Sequence, residues 1–571
     1  MNEQMKDFAY NPVSISIPRS KMTMRHSHKT TYNTGLLIPI YWREVLPGST
    51  VKMEMAQITR MQTPIFPIMD NAFQDTMFFF VPNRLVWTHW EEFMGENKSG
   101  YWEQPVDYEV PQIKFNSDQT VTTGGAPYWI KGNNYYKYCV QAGSLADYLG
   151  IPISDANLTT PFARGEFEAN ALPFRAYYQI YNDWWRDENL MNPLEYDKGD
   201  STVTAELGGS DPEAGWCILP PPEVAKFHDY YTSALPQPQK HDDVMLPLGS
   251  LAPVVLGESF RPNYTNANLV GTNLEATANS GSAGNIYSVK TDLSGYNTYN
   301  AAKSNGLYTD LSEALGTSIN TVRQAFAVQR FYEKQARGGS RYIEQLHSMF
   351  GVISPDARLQ RAEYLGGCRR AINIDQVVQT SETGSTTPQG NVSAYSLTTQ
   401  NEELFTKSFV EHGILIGVQC IRLEHSYQDG LFKMWNRRNI FDYYNPTFAN
   451  IGDQPIYNKE IYLAGNVSGS KDEEAFGYQE AWAEYRYMNS RVSGEMRSKY
   501  HQTLDAWHFA DNYGGLPTLS SDWIKEYEFT MNRNIAVSSR LADQWLADIF
   551  FKETWTQPMP TYSIPGLIDH Y

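Results

Sequence analysis

The sequence predicts a mainly β protein of antiparallel strands, and its first hundred or so residues contain the main evidence. Two apolar blocks, residues 35–41 and 49–59, flank a Leu-Pro-Gly turn at 46–48. The second block alternates apolar and polar side chains, which is the period of a half-buried strand. A third block, residues 76–81, is aromatic and β-branched. Because no helical crossover separates the blocks, they favour antiparallel pairing over βαβ units.

Further along the chain, helical patterns occur as insertions in this framework. Residues 174–189 place aromatic side chains at three- and four-residue steps after Pro173, which predicts an amphipathic helix. Helical spacing returns from residue 319 and stops at a Gly-Gly pair, and a second helix over 341–350 ends at a glycine. Residues 413–422 form a continuous apolar run, which predicts a strand buried on both faces.

Bulk properties narrow the class of protein. The chain has 571 residues, is 41% hydrophobic, and has no apolar run near the length of a membrane span, so no membrane insertion is expected. Its formal net charge of −18 argues against a general nucleic-acid binder with a basic surface. The four cysteines are dispersed without a C-x-x-C pair, which is typical of reduced thiols in a cytoplasmic product.

Motifs of known chemistry are absent from the sequence. It contains no phosphate-binding glycine loop, no dinucleotide fingerprint, no H-E-x-x-H and no nucleophile elbow. The eleven histidines lack partners at the spacing of metal ligands. We therefore expect no enzyme activity, no catalytic residues, no cofactor and no metal site within the chain; a metal whose ligands converge from different subunits stays an open alternative.

Aromatic residues are unusually frequent: 14 Trp, 38 Tyr and 26 Phe. Tyrosine and tryptophan combine apolar area with a polar tip, so they suit surfaces that become dry on assembly. A carbohydrate-binding or glycoside-hydrolysing β-rich protein would show the same excess. Composition alone leaves both interpretations open.

Residues 1–34 form a polar segment that we interpret as an N-terminal basic arm. It concentrates positive charge in an otherwise acidic protein, and clustered Lys and Arg bind phosphate without recognising sequence. A solvated or inter-subunit tail would have the same composition. The candidate DNA contacts are Arg19, Lys21, Arg25 and Lys29.

Several blocks of the chain resemble a known family. GLLIPIYWREVLPGSTV, RMQTPIFPIMDNAF and FFFVPNRLVWTHWEEFMGE open the match, and QRFYEKQARGGSRYIEQLHSMFGVISPDARLQRAEYLGG and FGYQEAWAEYRYMNSRVSGEMR continue it. These blocks are similar to the major capsid proteins of gokushovirus-type microviruses (Microviridae), which are small icosahedral bacteriophages with single-stranded DNA genomes. The resemblance implies an eight-stranded antiparallel jelly roll of the viral coat type, with long helical and loop insertions.

The same resemblance implies function, partners and location. Copies of the chain would close into an icosahedral shell around single-stranded DNA, in the virion and, during assembly, in the host cytoplasm. Internal scaffolding and DNA-pilot proteins and a host surface receptor would be further partners. We expect residues 35–571 to form a single jelly-roll domain, in which residues 257–316, rich in Asn, Ser, Thr and Gly, protrude as a surface loop for host attachment.

Two blocks within the resemblance supply candidate contacts between subunits. An arginine-rich island spans residues 330–370, and its charges suit salt bridges to neighbouring subunits or contact with the genome; we favour the first. An aromatic block near residue 482 suits interface anchors better than a sugar platform. The candidate inter-subunit residues are Arg337, Arg341, Arg358, Arg361, Trp482, Tyr485 and Arg486. A β-rich adhesin or spike is a third interpretation, and it predicts trimers instead of closed shells.

Overall fold

The computed structural model describes most of the chain. The described residues are 18–96, 107–115, 140–153, 166–205, 212–242, 244, 254–256, 275–279, 286–290, 296–298, 307–309, 319–339, 341–385, 387–465, 467 and 469–562. They fall into two compact units, residues 1–238 with 338–571, and residues 239–337.

Strands dominate the described residues. In chain order they are β1 (Ser20–Tyr32), β2 (Ile38–Val45), β3 (Thr50–Met61), β4 (Ala72–Pro82), β5 (Gln112–Phe115), β6 (Phe167–Asn170), β7 (Val203–Ala205), β8 (Val254–Leu256), β9 (Glu275–Asn279), β10 (Ile286–Lys290), β11 (Tyr296–Thr298), β12 (Leu307–Thr309), β13 (Glu363–Ala371), β14 (Ile374–Val378), β15 (Val392–Ser396), β16 (Thr398–Ser408), β17 (Gly413–Leu423), β18 (Asp453–Tyr457), β19 (Ala475–Glu480) and β20 (Trp545–Gln557).

Helices are mostly short and lie between the strands. The α-helices are α1 (Asn83–Val86), α2 (Trp90–Phe93), α3 (Leu145–Tyr148), α4 (Leu172–Ile180), α5 (Pro212–Trp216), α6 (Ile319–Arg337), α7 (Tyr342–Phe350), α8 (Asn458–Ile461) and α9 (Ser521–Ile524). A π-helical turn, Tyr181–Trp185, extends α4. The 3₁₀ helices are Lys433–Asn436, Ile440–Asp442, Pro446–Phe448, Ala483–Tyr485, Gly494–Met496, Asp505–Trp507 and Glu528–Arg533.

Two four-stranded antiparallel sheets form the centre of the larger unit. Sheet I has the order β1-β20-β3-β16, and sheet II has the order β13-β4-β17-β2. The predicted turn at 46–48 is present, but it carries the chain from sheet II to sheet I instead of closing a hairpin. Smaller sheets, β6-β5-β7, β14-β15 and β18-β19, belong to the insertions.

The inner faces of the two sheets share one apolar core. Alternate residues of β3 and β20, such as Met53 and Phe551, meet Phe78 of β4 and Leu415 of β17 in a single buried cluster. The Phe78 ring lies 5.5 Å from that of Phe405 and 5.9 Å from that of Tyr41, measured between centroids. Such burial is the main favourable contribution to folding of a two-sheet protein.

One glycine allows this packing. Gly417 of β17 pairs with Phe78, and a Cβ at Gly417 would lie 2.6 Å from the Phe78 ring. Only a residue without a side chain leaves room for the ring to lie across the neighbouring strand.

Sheet II is buried on its other face as well. Phe79, Ile416 and Val418 belong to a second core cluster with Tyr177 and Tyr178 of α4. Helix α4 therefore covers the sheet through the aromatic stripe that the sequence predicts to be a packing face. Burial on both faces explains the continuous apolar run of β17.

The smaller unit, residues 239–337, contains the antiparallel sheet β11-β10-β9, the pair β12-β8 and helix α6. Of the predicted protruding loop at 257–316, strands β9–β12 are described and the remaining residues lie outside the described part of the chain. Among the described residues, no helix is long and apolar enough to cross a membrane.

The prediction of a mainly β chain with antiparallel sheets and inserted helices is confirmed. The blocks read as strands correspond to β2, β3, β4 and β17, and the predicted helices correspond to α4, α6 and α7. A helical stop with positive φ is present at Gly351 (φ 69°). The segment interpreted as an arm differs from that description, because its residues 20–32 form β1 at the edge of sheet I.

Phe78→Ala tests the inter-sheet core. Phe78 is fully buried, so the variant should lower the free energy of unfolding of the subunit by about 3–5 kcal/mol. Chemical denaturation of dissociated subunits measures this. Phe350→Ala, which removes a ring that is 74% exposed, should change the value by less than about 0.5 kcal/mol. Equal losses in the two variants would contradict the role given to the core.

Candidate assembly and nucleic-acid surfaces

Strand β1 places the basic residues on one face of sheet I. Lys21, Arg25 and Lys29 are separated by four residues each, so they point to the same side, and all three are exposed. Arg19 precedes the strand and is exposed too. Alternate residues turn inward, and His26 lies 3.2 Å from the buried Glu553 carboxylate. The two-residue period of β1 therefore aligns these basic side chains in a row on one face of sheet I. We call Arg19, Lys21, Arg25 and Lys29 the cationic row.

The same outer face carries more charge on β3 and β20. We call the outward residues of sheet I the cationic face, because its cations outnumber its carboxylates. The outward cations are Lys21, Arg25, Lys29, Lys52, Arg60 and Lys552, and the outward carboxylates are Glu54, Glu403 and Asp548.

Exposed ion pairs engage part of this charge. Lys52 lies 2.7 Å from Glu403, and Lys552 lies 2.7 Å from Glu54. Lys29 lies 3.2 Å from Asp548, and both side chains are more than half exposed. Exposed pairs of this kind are weak and exchange readily with other ions.

Arginines of the 330–370 island differ in their surroundings. Arg361 is largely buried: its guanidinium lies 4.2 Å above the Trp184 ring and donates to the Asp183 carbonyl oxygen at 2.9 Å. Arg341 lies 2.9 Å from Glu188 and donates to the Arg186 carbonyl oxygen at 2.7 Å. Both therefore hold the α7 region against the chain that follows α4.

The other two candidates of the island, Arg337 and Arg358, are exposed. Arg337 is the last residue of α6, and Arg358 lies in the loop before β13. They remain predicted inter-subunit contacts.

A buried carboxylate organises two more arginines, and the sequence analysis did not single it out. Asp75 of β4 is fully buried and pairs with Arg369 of β13 at 2.5 Å and with Arg422 of β17. The two guanidinium groups also lie over the Phe227 ring, at 4.7 and 4.1 Å from its centroid. The strand order of sheet II brings these residues together, since β4 lies between β13 and β17.

The aromatic block around residue 482 has a buried support and an exposed edge. Trp482 is 4% exposed and donates from its indole N–H to the Phe448 carbonyl oxygen at 2.9 Å. Its φ of 65° is rare for a bulky residue. Tyr485 is half exposed, and Arg486 lies 2.5 Å from Glu480. Trp482 thus packs within the subunit, and Tyr485 and Arg486 face outward.

An exposed apolar surface adjoins Tyr485. We call residues 434–451 and 485–488 the aromatic ridge; its most exposed large apolar side chains are Trp435, Ile440, Phe441 and Met488, which are 69–80% exposed. Arg437 fixes the two segments together, because it lies 4.5 Å above the Tyr485 ring and 3.0 Å from Glu484. Exposed aromatics around a held arginine are characteristic of protein–protein interfaces.

The 434–451 segment was missed in the sequence. Its run W-N-R-R-N-I-F-D-Y-Y-N-P has neither the helical nor the strand period, and consecutive 3₁₀ turns leave its apolar residues outside. High apolar content without any period is the signal that could have indicated a surface.

Buried charges lock the loops beyond β17. His425 lies 3.0 Å from Asp511 and 2.9 Å from Glu526, and Lys226 lies 3.2 Å from Asp511. Burial by itself would lower the pKa of His425, but the two carboxylates outweigh it and raise that pKa to about 10. Burial would likewise raise the pKa of Asp511, yet Lys226 and His425 hold it below its ordinary value. The cluster is a charged structural link between distant loops.

A groove of 1190 Å³ lies beside the end of β1, within the larger unit. Lys29, Arg60, Asp147, Trp216 and Pro221 are among its lining residues. Within the described part of the chain no cluster of His, Cys, Asp or Glu could hold a metal ion. The side chains of Cys217 and Cys420 are buried.

Comparison with known proteins decides the family. Residues 12–567 match the family described as "Capsid protein (F protein)". The chain belongs to this capsid protein family. It is 39% identical to capsid protein VP1 of Spiroplasma virus 4, over 99% of this chain and 98% of that protein.

Two further relatives agree. Capsid protein VP1 of Bdellovibrio phage phiMH2K is 37% identical, with 99% of this chain and 98% of that protein aligned. Capsid protein VP1 of Chlamydia phage 1 is 36% identical, with 97% and 96% aligned. The resemblance to microvirus capsid proteins is thereby confirmed along the whole chain.

Membership of this family has direct consequences for function. Its members are structural proteins of a virion and assemble into a shell, and the prediction that the chain is not an enzyme is confirmed. The alternative of a carbohydrate-binding or glycoside-hydrolysing protein finds no support among these relatives.

The His425 cluster predicts a pH dependence of stability. The folded-state pKa of His425, about 10, exceeds the ordinary value of 6.5. Protonated His425 therefore contributes its full share to the free energy of unfolding below pH 6.5, and this stabilisation is lost as the pH rises to about 10. The free energy of unfolding of dissociated subunits should fall by on the order of 3–5 kcal/mol over that window. Denaturant titrations at stepped pH measure it.

The matched variants are His425→Gln and His501→Gln, the latter at an exposed histidine. His425→Gln should be destabilised at pH 6 and should show a flatter pH profile, whereas His501→Gln should follow the unaltered protein. A steep alkaline loss that persists in His425→Gln would contradict the assignment.

Proposed function

We propose that this protein is the major capsid subunit of a small icosahedral phage, folded as an eight-stranded jelly roll. The strand order supports the fold: the eight long strands divide equally between sheets I and II. Successive strands alternate between the sheets, except that β4 and β13 are neighbours in sheet II. Two interleaved Greek keys of this kind make a double-sheet jelly roll. The match of residues 12–567 to a capsid family carries the functional conclusion.

Shell closure would depend on surfaces that single subunits leave exposed. The aromatic ridge offers rigid rings, which lose little conformational entropy on binding, and Arg486, Arg337 and Arg358 add charges that suit an acidic neighbour. In closed symmetry every copy buries the same surfaces, so individually weak contacts become cooperative. Arg341, Arg361 and Trp482 support such contacts from within the subunit.

The enclosed genome would be single-stranded DNA, and the cationic face would lie against it. An excess of outward cations in a protein of net charge −18 supports this orientation. Phosphate contact needs clustered charge and no sequence recognition. The scaffolding and DNA-pilot partners and assembly in the host cytoplasm belong to the same proposal.

Host attachment is proposed for residues 257–316. Their composition favours a surface excursion over a core, and the strands described within them, β9–β12, belong to sheets other than I and II. A receptor contact on such a loop would leave the shell contacts unchanged.

Electron microscopy with sedimentation tests both the capsid function and the ridge. Protein from recombinant expression or from the native source should form uniform isometric particles. Trp435→Ala should raise the concentration of free subunit in equilibrium with shells at least about tenfold, because a buried tryptophan anchor contributes about 2 kcal/mol or more to a contact.

Leu541→Ala is the matched control, since Leu541 is 77% exposed against 76% for Trp435 and lies outside the ridge. It should assemble normally. Monomers from both sources would contradict the capsid function, and normal assembly of Trp435→Ala would remove the ridge from the interface.

The cationic row predicts DNA content. Replacing the four basic residues by alanine should lower the DNA per particle while shells still form, because phosphate contacts are lost and the subunit contacts are not. The ratio of absorbance at 260 and 280 nm of purified particles reports this loss. The substituted residues are Arg19, Lys21, Arg25 and Lys29.

The control removes the same amount of charge elsewhere on the exposed surface. Particles of the control variant should retain their DNA. Equal DNA content in particles of the unaltered protein, the cationic-row variant and the control variant would overturn the assignment of the cationic row. The control residues are Lys471, Arg491, Lys499 and Arg540.

A further inference from the structure

An exposed phenylalanine stands in the middle of the cationic face. Phe550 of β20 points outward and is 41% exposed, whereas its neighbours in sequence, Ile549 and Phe551, are fully buried. Its cross-strand partners are Ser27 on β1 and Ala56 on β3. Because both partners are small, neither covers the ring.

Charged side chains surround this ring, and the cations Arg25, Lys29 and Lys552 outnumber the carboxylates Glu54 and Asp548. Arg25 on β1 lies directly opposite Lys552 on β20, one pair along from Ser27 and Phe550 on the same face. Like charges directly opposite in a sheet repel each other and destabilise it, so a bound anion at this point would relieve a cost. Glu54 neutralises Lys552 at 2.7 Å, which leaves the Arg25 side as the more electropositive one.

The charge extends as a row beside the ring. From Lys21 to Lys29 the strand covers roughly 27 Å at the rise of an extended chain, with a cation about every 13 Å. A polyanion laid along β1 would therefore meet repeated positive charge, while Phe550 stands one strand further in.

We propose that the cationic face binds single-stranded nucleic acid, with phosphates along β1 and a base stacked on Phe550. The inference rests on the proposed genome enclosure and adds to it the contact with the base. Every base has an apolar π-face, whatever its identity, and this face can stack on an uncovered aromatic ring such as that of Phe550. The contact is tolerant of sequence for the same reason.

Two features favour a single strand over other occupants. A duplex buries its base faces in the stack, so it would meet the cations and leave Phe550 unused. A neighbouring protein would be expected to fill the space over Ser27 and Ala56 with apolar side chains, but the surroundings of Phe550 are dominated by charge.

The test compares two probes on full-length subunits dissociated from shells. One probe is oligothymidylate of about 16 nucleotides, and the other is an abasic deoxyribose phosphate strand of equal length. Fluorescence anisotropy should give an affinity for the first about tenfold higher, because only that probe can stack. Phe550→Ala should bring the two affinities together, and Phe550→Trp should restore the difference.

Two further variants separate charge from stacking. Arg25→Ala should weaken both probes alike and reduce the slope of affinity against salt by about one. Leu546→Ala removes another outward apolar side chain of β20, 42% exposed, and should leave the ratio of the two affinities unchanged.

The test distinguishes failure of the base-stacking inference from failure of the proposed genome enclosure. If Phe550→Ala keeps the tenfold ratio, stacking is overturned while DNA enclosure stands. If Phe550→Ala and Arg25→Ala leave both affinities unchanged but abolish shells in sedimentation, the face is a subunit contact and the inference is overturned. If native particles contain no DNA, the genome enclosure itself fails, whatever the ratio.

Discussion

Burial of apolar side chains between sheets I and II is the constraint on which the other features depend. Met53, Phe78 and Phe551 occupy that interface, and strand geometry then sends every alternate residue of the same strands outward. The cationic face is the direct consequence: the outward positions of β1, β3 and β20 are free to carry charge because the inward positions hold the sheet in register.

Buried charged residues in this protein link elements of the fold to one another, whereas the charged residues of the cationic face lie on the outer surface of sheet I. Asp75 with its two arginines ties β4 to β13 and β17, and the His425 cluster ties loops that are far apart in sequence. Removing one partner would leave an uncompensated buried charge, which is strongly destabilising. In the same way, Arg437 holds the two segments of the aromatic ridge together through Tyr485 and Glu484.

Buried charges that link elements of the subunit, together with broad exposed surfaces, suit a coat protein better than an enzyme. Family membership gives the chain a structural role, and its described surface presents a cationic sheet face and an exposed aromatic ridge. Affinity from such surfaces grows with the number of copies that meet, because each copy contributes the same contacts. Assembly of this kind needs desolvation and charge neutralisation, which fits the high aromatic content of the chain and the arginine-rich island at residues 330–370.

Local pattern in the sequence determined much of the framework. The two-residue period predicted β3, the apolar run predicted β17 and the aromatic steps predicted α4, because each pattern records which side of an element is buried. The same period is visible in residues 545–557, W-L-A-D-I-F-F-K-E-T-W-T-Q, although the sequence prediction did not include this strand. The capsid identity was also accessible, since whole blocks resembled the family.

Tertiary structure alone decided how charges and rings are used. Nothing local distinguishes Arg361, held over Trp184, from the exposed Arg358, or the buried Trp482 from Trp435. Residues 20–32 read as an arm because their outward charges and inward His and Met do not form an apolar stripe, and only pairing with β20 places them in a sheet. Burial depends on which distant segments meet, and that information lies in long-range contacts instead of in neighbouring residues.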